Sequence, residues 1–277
     1  MGDERPEIPT VRRVGPLEFT ARHLMTFIVC CSIGFTLLGL MIQAVRSARE
    51  AARASQCICN ICQIKIALYN YHDAFGSFPP AYVADGQGRP MHSWRVLILP
   101  WMEQKALYDQ YNFAEPWDGP NNRGLLTMMP NNFACPSHRL ASSGLTSYAA
   151  ITGPKTAFPG AGTTKLADIV DGPRDTIMLA EVCNLDIPWT APRDLDTATM
   201  SFRIDDPARP GISSKHPSGP VVVAADTTTW RLPRTIEPET LRAMTTIAGG
   251  EPIPDELVGL RPGRAVPQAV DPPSTAP

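Results

Sequence analysis

Seven cysteines and five histidines mark the places where a ligand or a nucleophile could sit. Three thiols fall close together, as Cys57-x-Cys59-x-x-Cys62. A zinc site would need a fourth ligand and a compact loop to hold it. The segment has a helical pattern instead, and on a helix Cys59 and Cys62 share a face while Cys57 points elsewhere. Cys135 and Cys183 stand alone, and Cys30 and Cys31 lie in an apolar run. The expectation is no metal here, with the thiols used for packing or a disulfide. Asp168, Asp171 and Asp175 gather around Gly172 and are the calcium candidates. Calcium takes roughly six to eight oxygens on a tight loop. This spacing is not that of an EF-hand, Arg174 sits among the acids, and Asp171-Gly172 reads as a turn. His23, His72, His92, His138 and His216 form no HExxH, and no GxSxG elbow lies near them. Ser137-His138 is mere adjacency, and His72-Asp73 falls where a helix should end and suits a cap. Trp94, Trp101, Trp117, Trp189 and Trp230 suit a core better than a sugar platform. The expectation is therefore no catalytic residues, no enzyme and no cofactor.

The elements that would position these residues follow from composition and period. The chain has 277 residues, 43% of them apolar and 19% charged, with a net charge of −2. Without a basic patch or stripe there is no nucleic-acid footprint. The 29 prolines predict a chain rich in turns outside one region. That region begins at Leu24. From Leu24 to Val45, 22 positions, there is no charged residue, which matches the roughly 20 needed to cross a bilayer core. A cleaved signal peptide would have a shorter apolar run and a small-x-small site. Here the run passes directly into SAREAARASQC, so the sequence predicts a retained transmembrane helix over 24–45. Cys57, Ile61, Ile64, Leu68, Tyr71 and Phe75 continue as one apolar stripe, and Gly76 with Pro79-Pro80 ends it. A helix from Leu24 to Phe75 would be ~75 Å long. Residues 103–111 suit a short amphipathic helix, and 238–247 another, opened by Pro238. Strands are expected over 147–152, 176–183, 200–204, 221–225 and 229–232. Residues 1–23 and the Pro-rich 261–277 read as disordered tails, leaving 46–260 as the globular domain.

Several stretches resemble one family. They are AVRSAREAARASQC, QIKIALYNYHDAFGSFPPA, SWRVLILPWMEQKALYDQYNFAEPWDGPNN, FACPS, TSYAAITGP, LADIVDG, TIMLAEV, IPWTAPRDL and LRAMTTIAGGE. Together they are similar to the pilin-like proteins abundant in planctomycete bacteria, domain of unknown function 1559. The resemblance implies an α+β, pilin-like fold: a long N-terminal membrane helix packed on a small antiparallel sheet with long loops. It implies a domain outside the cytoplasm, like type IV pilins and type II secretion pseudopilins, and no established activity. Some pseudopilins bind calcium, which keeps Asp168, Asp171 and Asp175 in view.

This chain departs from the family pattern in places. The box GFTLLG at Gly34–Gly39 has Gly39 where prepilins carry Glu, and it sits too near SAREAAR for cleavage to leave a spanning helix. No prepilin peptidase processing is expected. Cys59 and Cys62 replace the family's usual Asn and Lys, Thr227-Thr228 its Gly-Ser, and Arg174-Asp175 its Ser-Asn. Arginines flank the apolar run on both sides, so the orientation, N-terminus inside, comes from the resemblance. In an oxidising compartment Cys57, on the apolar stripe, is expected to pair with Cys135 of FACPS, with Cys183 as the next partner. The resulting reading is a membrane-anchored, pseudopilin-like structural or assembly component of the cell envelope. Its partners would be membrane lipid and other envelope proteins, or its own copies through the N-terminal helix. The competing reading is a tethered domain that binds a solute or glycan.

Overall fold

The computed structural model describes residues 21–138 and 143–253. The expected tail 261–277 lies outside them, as does the expected tail 1–23 except for residues 21–23, which already belong to the first helix. Two compact units divide the chain, Met1–Arg49 and Glu50–Pro277, and helix α1 (Ala21–Phe75) contributes residues to both.

In the first unit the described residues are α1 alone. Every side chain from Leu24 to Val45 is exposed except the half-buried Cys31. The helix is long and apolar enough to cross a membrane by length and composition. Thr26 and Thr36 return their hydroxyls to the carbonyls of Arg22 and Ser32, so their polar groups are satisfied within the helix.

In the second unit α1 buries Cys57, Ile61, Ile64, Ala67 and Leu68, residues three or four apart and therefore on one face. Tyr71 and Phe75 end the stripe at the surface against Trp101. Gly76 stops the helix at φ +75°, its N–H returning to the carbonyl of His72 at 2.7 Å. A hairpin follows, β1 (Tyr82–Ala84) and β2 (Pro90–Ser93), then α2 (Trp94–Leu97), whose Arg95 N–H is capped by Ser93 Oγ, then α3 (Lys105–Gln110). Besides short 3-10 turns, the described residues continue with β3 (Leu145–Thr146), β4 (Tyr148–Thr152), β5 (Ile177–Glu181), β6 (Ile187–Pro188), β7 (Leu195–Asp196), β8 (Val221–Ala224), β9 (Thr229–Arg231) and α4 (Pro238–Ala243).

The main sheet has five strands in the order β7-β4-β5-β8-β9. The class is α+β, as expected, but the sheet is mixed: β7 lies parallel to β4 and the other pairs are antiparallel. Both faces are buried. Along β4, Tyr148 and Ala150 join the core on the α1 side, while Ala149 and Ile151 join a second core with Leu241 and Met244. Along β8, Val221 and Val223 point one way and Val222 and Ala224 the other. A strand covered on both faces reads as an unbroken apolar run, hence VVVA. The expected strand at 200–204 does not form. Ser201 makes one isolated bridge to Gly211, its hydroxyl bonds Asp206, and Asp205 at φ +56° turns the chain back.

Candidate functional site

Four side chains from four segments of the second unit converge in its interior. Cys57 comes from α1 and Cys135 from the loop after a 3-10 turn at Asn131–Phe133. Glu181 ends β5, and His216 lies in the loop that leads to β8. Their ligand atoms all lie within 4.8 Å of one another, and all four residues are buried. His216 Nε2 stands 3.1 Å from Cys135 Sγ and 3.8 Å from Glu181 Oε1.

Each of the four is held from behind. The Tyr148 hydroxyl donates to the Cys57 carbonyl at 3.0 Å and to its Sγ at 3.2 Å. The Cys135 N–H donates to Ser147 Oγ, and Asn60 of α1 donates its amide to the Ala134 carbonyl at 2.8 Å. Glu181 Oε2 accepts the N–H of Val221 at 3.2 Å, which leaves Oε1 toward the cluster. Glu50 accepts from His216 Nδ1 at 2.7 Å and also from Ser137 Oγ. Behind His216, Arg234 donates to the carbonyls of Ser214 and His216, both at 3.0 Å. The turn that follows needs Gly219: its φ is +88°, and a Cβ there would sit 2.3 Å from the Leu232 carbonyl oxygen.

The electrostatics follow from this packing. The bond from Cys57, aided by His216, outweighs burial and lowers the Cys135 thiol. The same Cys135 bond, with burial added, pushes the Cys57 thiol far up. Burial, then the Cys135 sulfur, lifts the Glu181 carboxyl to about 7. The His216 imidazole is raised, first by its bond to Cys135 and against burial. Burial is the largest influence on Glu50 and opposes ionisation, yet the bonds from His216 and Ser137 keep its carboxyl below the usual range. With Nδ1–H bonded to Glu50, Nε2 faces the sulfurs. As an imidazolium it donates to a Cys135 thiolate; as the neutral ring it offers a lone pair.

The structure thus brings the expected partners Cys57 and Cys135 together, as two free thiols that are not at bonding distance. The other thiols take no part. Cys59 is exposed, Cys62 lies 3.7 Å from Thr229 Oγ1, and Cys183 is half-buried. Of the calcium candidates, Asp175 donates its N–H to the Gly172 carbonyl at 2.9 Å. Asp168 accepts the Lys165 N–H, and Asp171 accepts Thr246 Oγ1 and the N–H groups of Gly249 and Gly250. His72 accepts the Leu166 N–H at 3.4 Å, a tether near the helix end. Trp94, Trp189 and Trp230 are buried in the two cores, and Trp101 and Trp117 are half-buried.

Sequence reasoning did not reach Glu50 and Glu181, and it weighed His216 only as one of five histidines without a motif. The signal for Glu181 was present: one acid inside the apolar strand IMLAE must find a partner when buried. His216 carried no such mark, since its neighbours in the chain are turn residues.

No curated protein and no solved structure matches this chain significantly. The family model described as a protein of unknown function, DUF1559, matches residues 46–206, a stretch that holds Glu50, Cys57, Cys135 and Glu181 but stops short of His216. The chain belongs to the DUF1559 family.

Proposed function

We propose that this protein is a single-pass, membrane-anchored component of the cell envelope, pseudopilin-like and structural rather than catalytic. Residues 24–45 are its anchor, the N-terminus is cytoplasmic, and the domain 46–260 is outside. The observation that carries this reading is the apolar run Leu24–Val45, exposed at 21 of its 22 residues, whereas most large apolar side chains among the described residues of the second unit are buried in two cores. An apolar surface of that length needs a covering, and lipid provides it. Membrane fractionation with an alkaline wash, followed by protease treatment of intact spheroplasts, tests both parts. The protein should stay with the membrane and lose its C-terminal domain to protease. Release by the wash refutes the anchor, and full protection refutes the orientation.

A tethered binding domain is supported by one feature, a surface pocket of about 380 Å³ beside Tyr82, Thr152, Leu185 and Met200. That size falls within the range of small-molecule sites. Equilibrium binding of a soluble glycan or solute panel to the full chain would favour it over an assembly role.

A further inference from the structure

We propose that Cys57, Cys135, His216 and Glu181 form a closed structural site for a zinc-class divalent cation. The donor set is the first argument. Two thiols, an imidazole nitrogen and a carboxylate oxygen converge within 4.8 Å. Sulfur and imidazole select zinc and its soft neighbours over calcium or magnesium. Spacing is the second. Bonds of about 2.3 Å to sulfur and about 2.0–2.2 Å to nitrogen and oxygen place tetrahedral donors roughly 3.3–3.8 Å apart. The Cys135–His216 and His216–Glu181 separations of 3.1 and 3.8 Å are within a few tenths of an ångström of this, and the remaining donor pairs lie within 4.8 Å.

The surroundings are the third argument. A metal-bound histidine characteristically donates its other ring N–H to a carboxylate, which fixes the tautomer. His216 does this with Glu50 at 2.7 Å, and Glu50 is itself fixed by Ser137. Tyr148 donates to the Cys57 sulfur, and the Val221 N–H fixes the second oxygen of Glu181. A disulfide alone would account for the two sulfurs but not for an acid and an imidazole aimed at them. On binding, the protons of the two thiols, and any on His216 Nε2 and the Glu181 carboxyl, leave to solvent, and the ion takes the lone pairs of two thiolates, one imidazole nitrogen and one carboxylate oxygen. All four positions come from the protein and none is more than 1% exposed, so no place remains for a reactive water. The ion would clip α1, the 131–137 loop, β5 and the approach to β8 together.

The test is metal analysis of the full chain, purified in detergent without chelator and with its thiols intact. About one zinc per chain is expected. X-ray absorption should find two sulfur neighbours, and cobalt in place of zinc should give a thiolate charge-transfer band. Cys135→Ser and His216→Ala should lose the metal. Glu50→Gln removes no ligand and should weaken binding about 10- to 100-fold, which keeps the proposal testable if the ligand variants fail to fold. Metal-free protein that stays reduced yet takes up no zinc overturns the proposal. So does protein from its native envelope that carries a Cys57–Cys135 disulfide and no metal.

Discussion

Asp194→Ala should be among the most damaging single changes in the domain. Arg95 and Asp194 pair at 2.6 Å with side chains 0% and 2% exposed. Asp194 also accepts the Trp94 indole N–H at 3.2 Å and the Ala150 N–H of β4 at 2.7 Å. Removing the carboxylate strands a guanidinium that keeps Ser93 Oγ, the carbonyls of Tyr148 and, marginally, Arg193, and the face of the Trp94 ring at 4.7 Å. Breaking a buried pair from one side costs about 3–5 kcal/mol. The orphaned strand N–H adds about 1–3 kcal/mol, though the two overlap and do not simply add. About 4 kcal/mol is therefore expected, a large share of a typical domain's ~5–15 kcal/mol. Burial pushes Arg95 down and Asp194 up, so for both groups desolvation outweighs their mutual attraction. It follows that Arg95→Met with Asp194→Leu should cost less than Asp194→Ala alone, because no charge is left behind. Urea unfolding of the full chain in detergent, followed by tryptophan fluorescence, measures all three variants. A loss below about 1 kcal/mol for Asp194→Ala, or a double variant as damaging as the single, would refute the argument.

Three further outcomes are expected. Gly219→Ala should destabilise by roughly 1–3 kcal/mol, since it combines a left-handed φ with a backbone clash, and it should loosen zinc retention by shifting His216; an unchanged urea midpoint contradicts this. His92 is 3% exposed, bonds Tyr111 through Nδ1, and has its imidazole lowered by burial. Its contribution should vanish above its ordinary 6.5 and turn unfavourable below it, because the unfolded chain takes the proton first; comparison with His92→Phe between pH 7 and 5 isolates that slope, and parallel curves would exclude it. A photoreactive side chain at Gly39 should crosslink to a protein partner or a second copy, because small residues permit close helix approach; adducts to lipid alone would shift weight to the tethered binding domain.

The helix and its exposed run were legible because both rest on local patterns. The charge-free Leu24–Val45, the stripe from Cys57 to Leu68 and the stop at Gly76 each declare themselves within a few turns of chain. The strands 148–152, 177–181, 221–224 and 229–231 were legible too, as short apolar runs bounded by turn residues. Strands of two residues, such as β3, β6 and β7, carry no period and exist only through their partners. That Cys57 and Cys135 come close was legible, one on the buried stripe and one in a loop, though they meet as free thiols rather than as the expected disulfide. What they meet there was not. Glu181 and His216 stand 35 positions apart in the chain, and Glu50 is 166 from His216. Likewise Arg95 and Asp194, 99 positions apart, look in sequence like two ordinary charges. Residue type determines which groups need a partner once buried; only the packing of α1 against the sheet decides which groups are buried together, because contacts between distant segments leave no period in the chain.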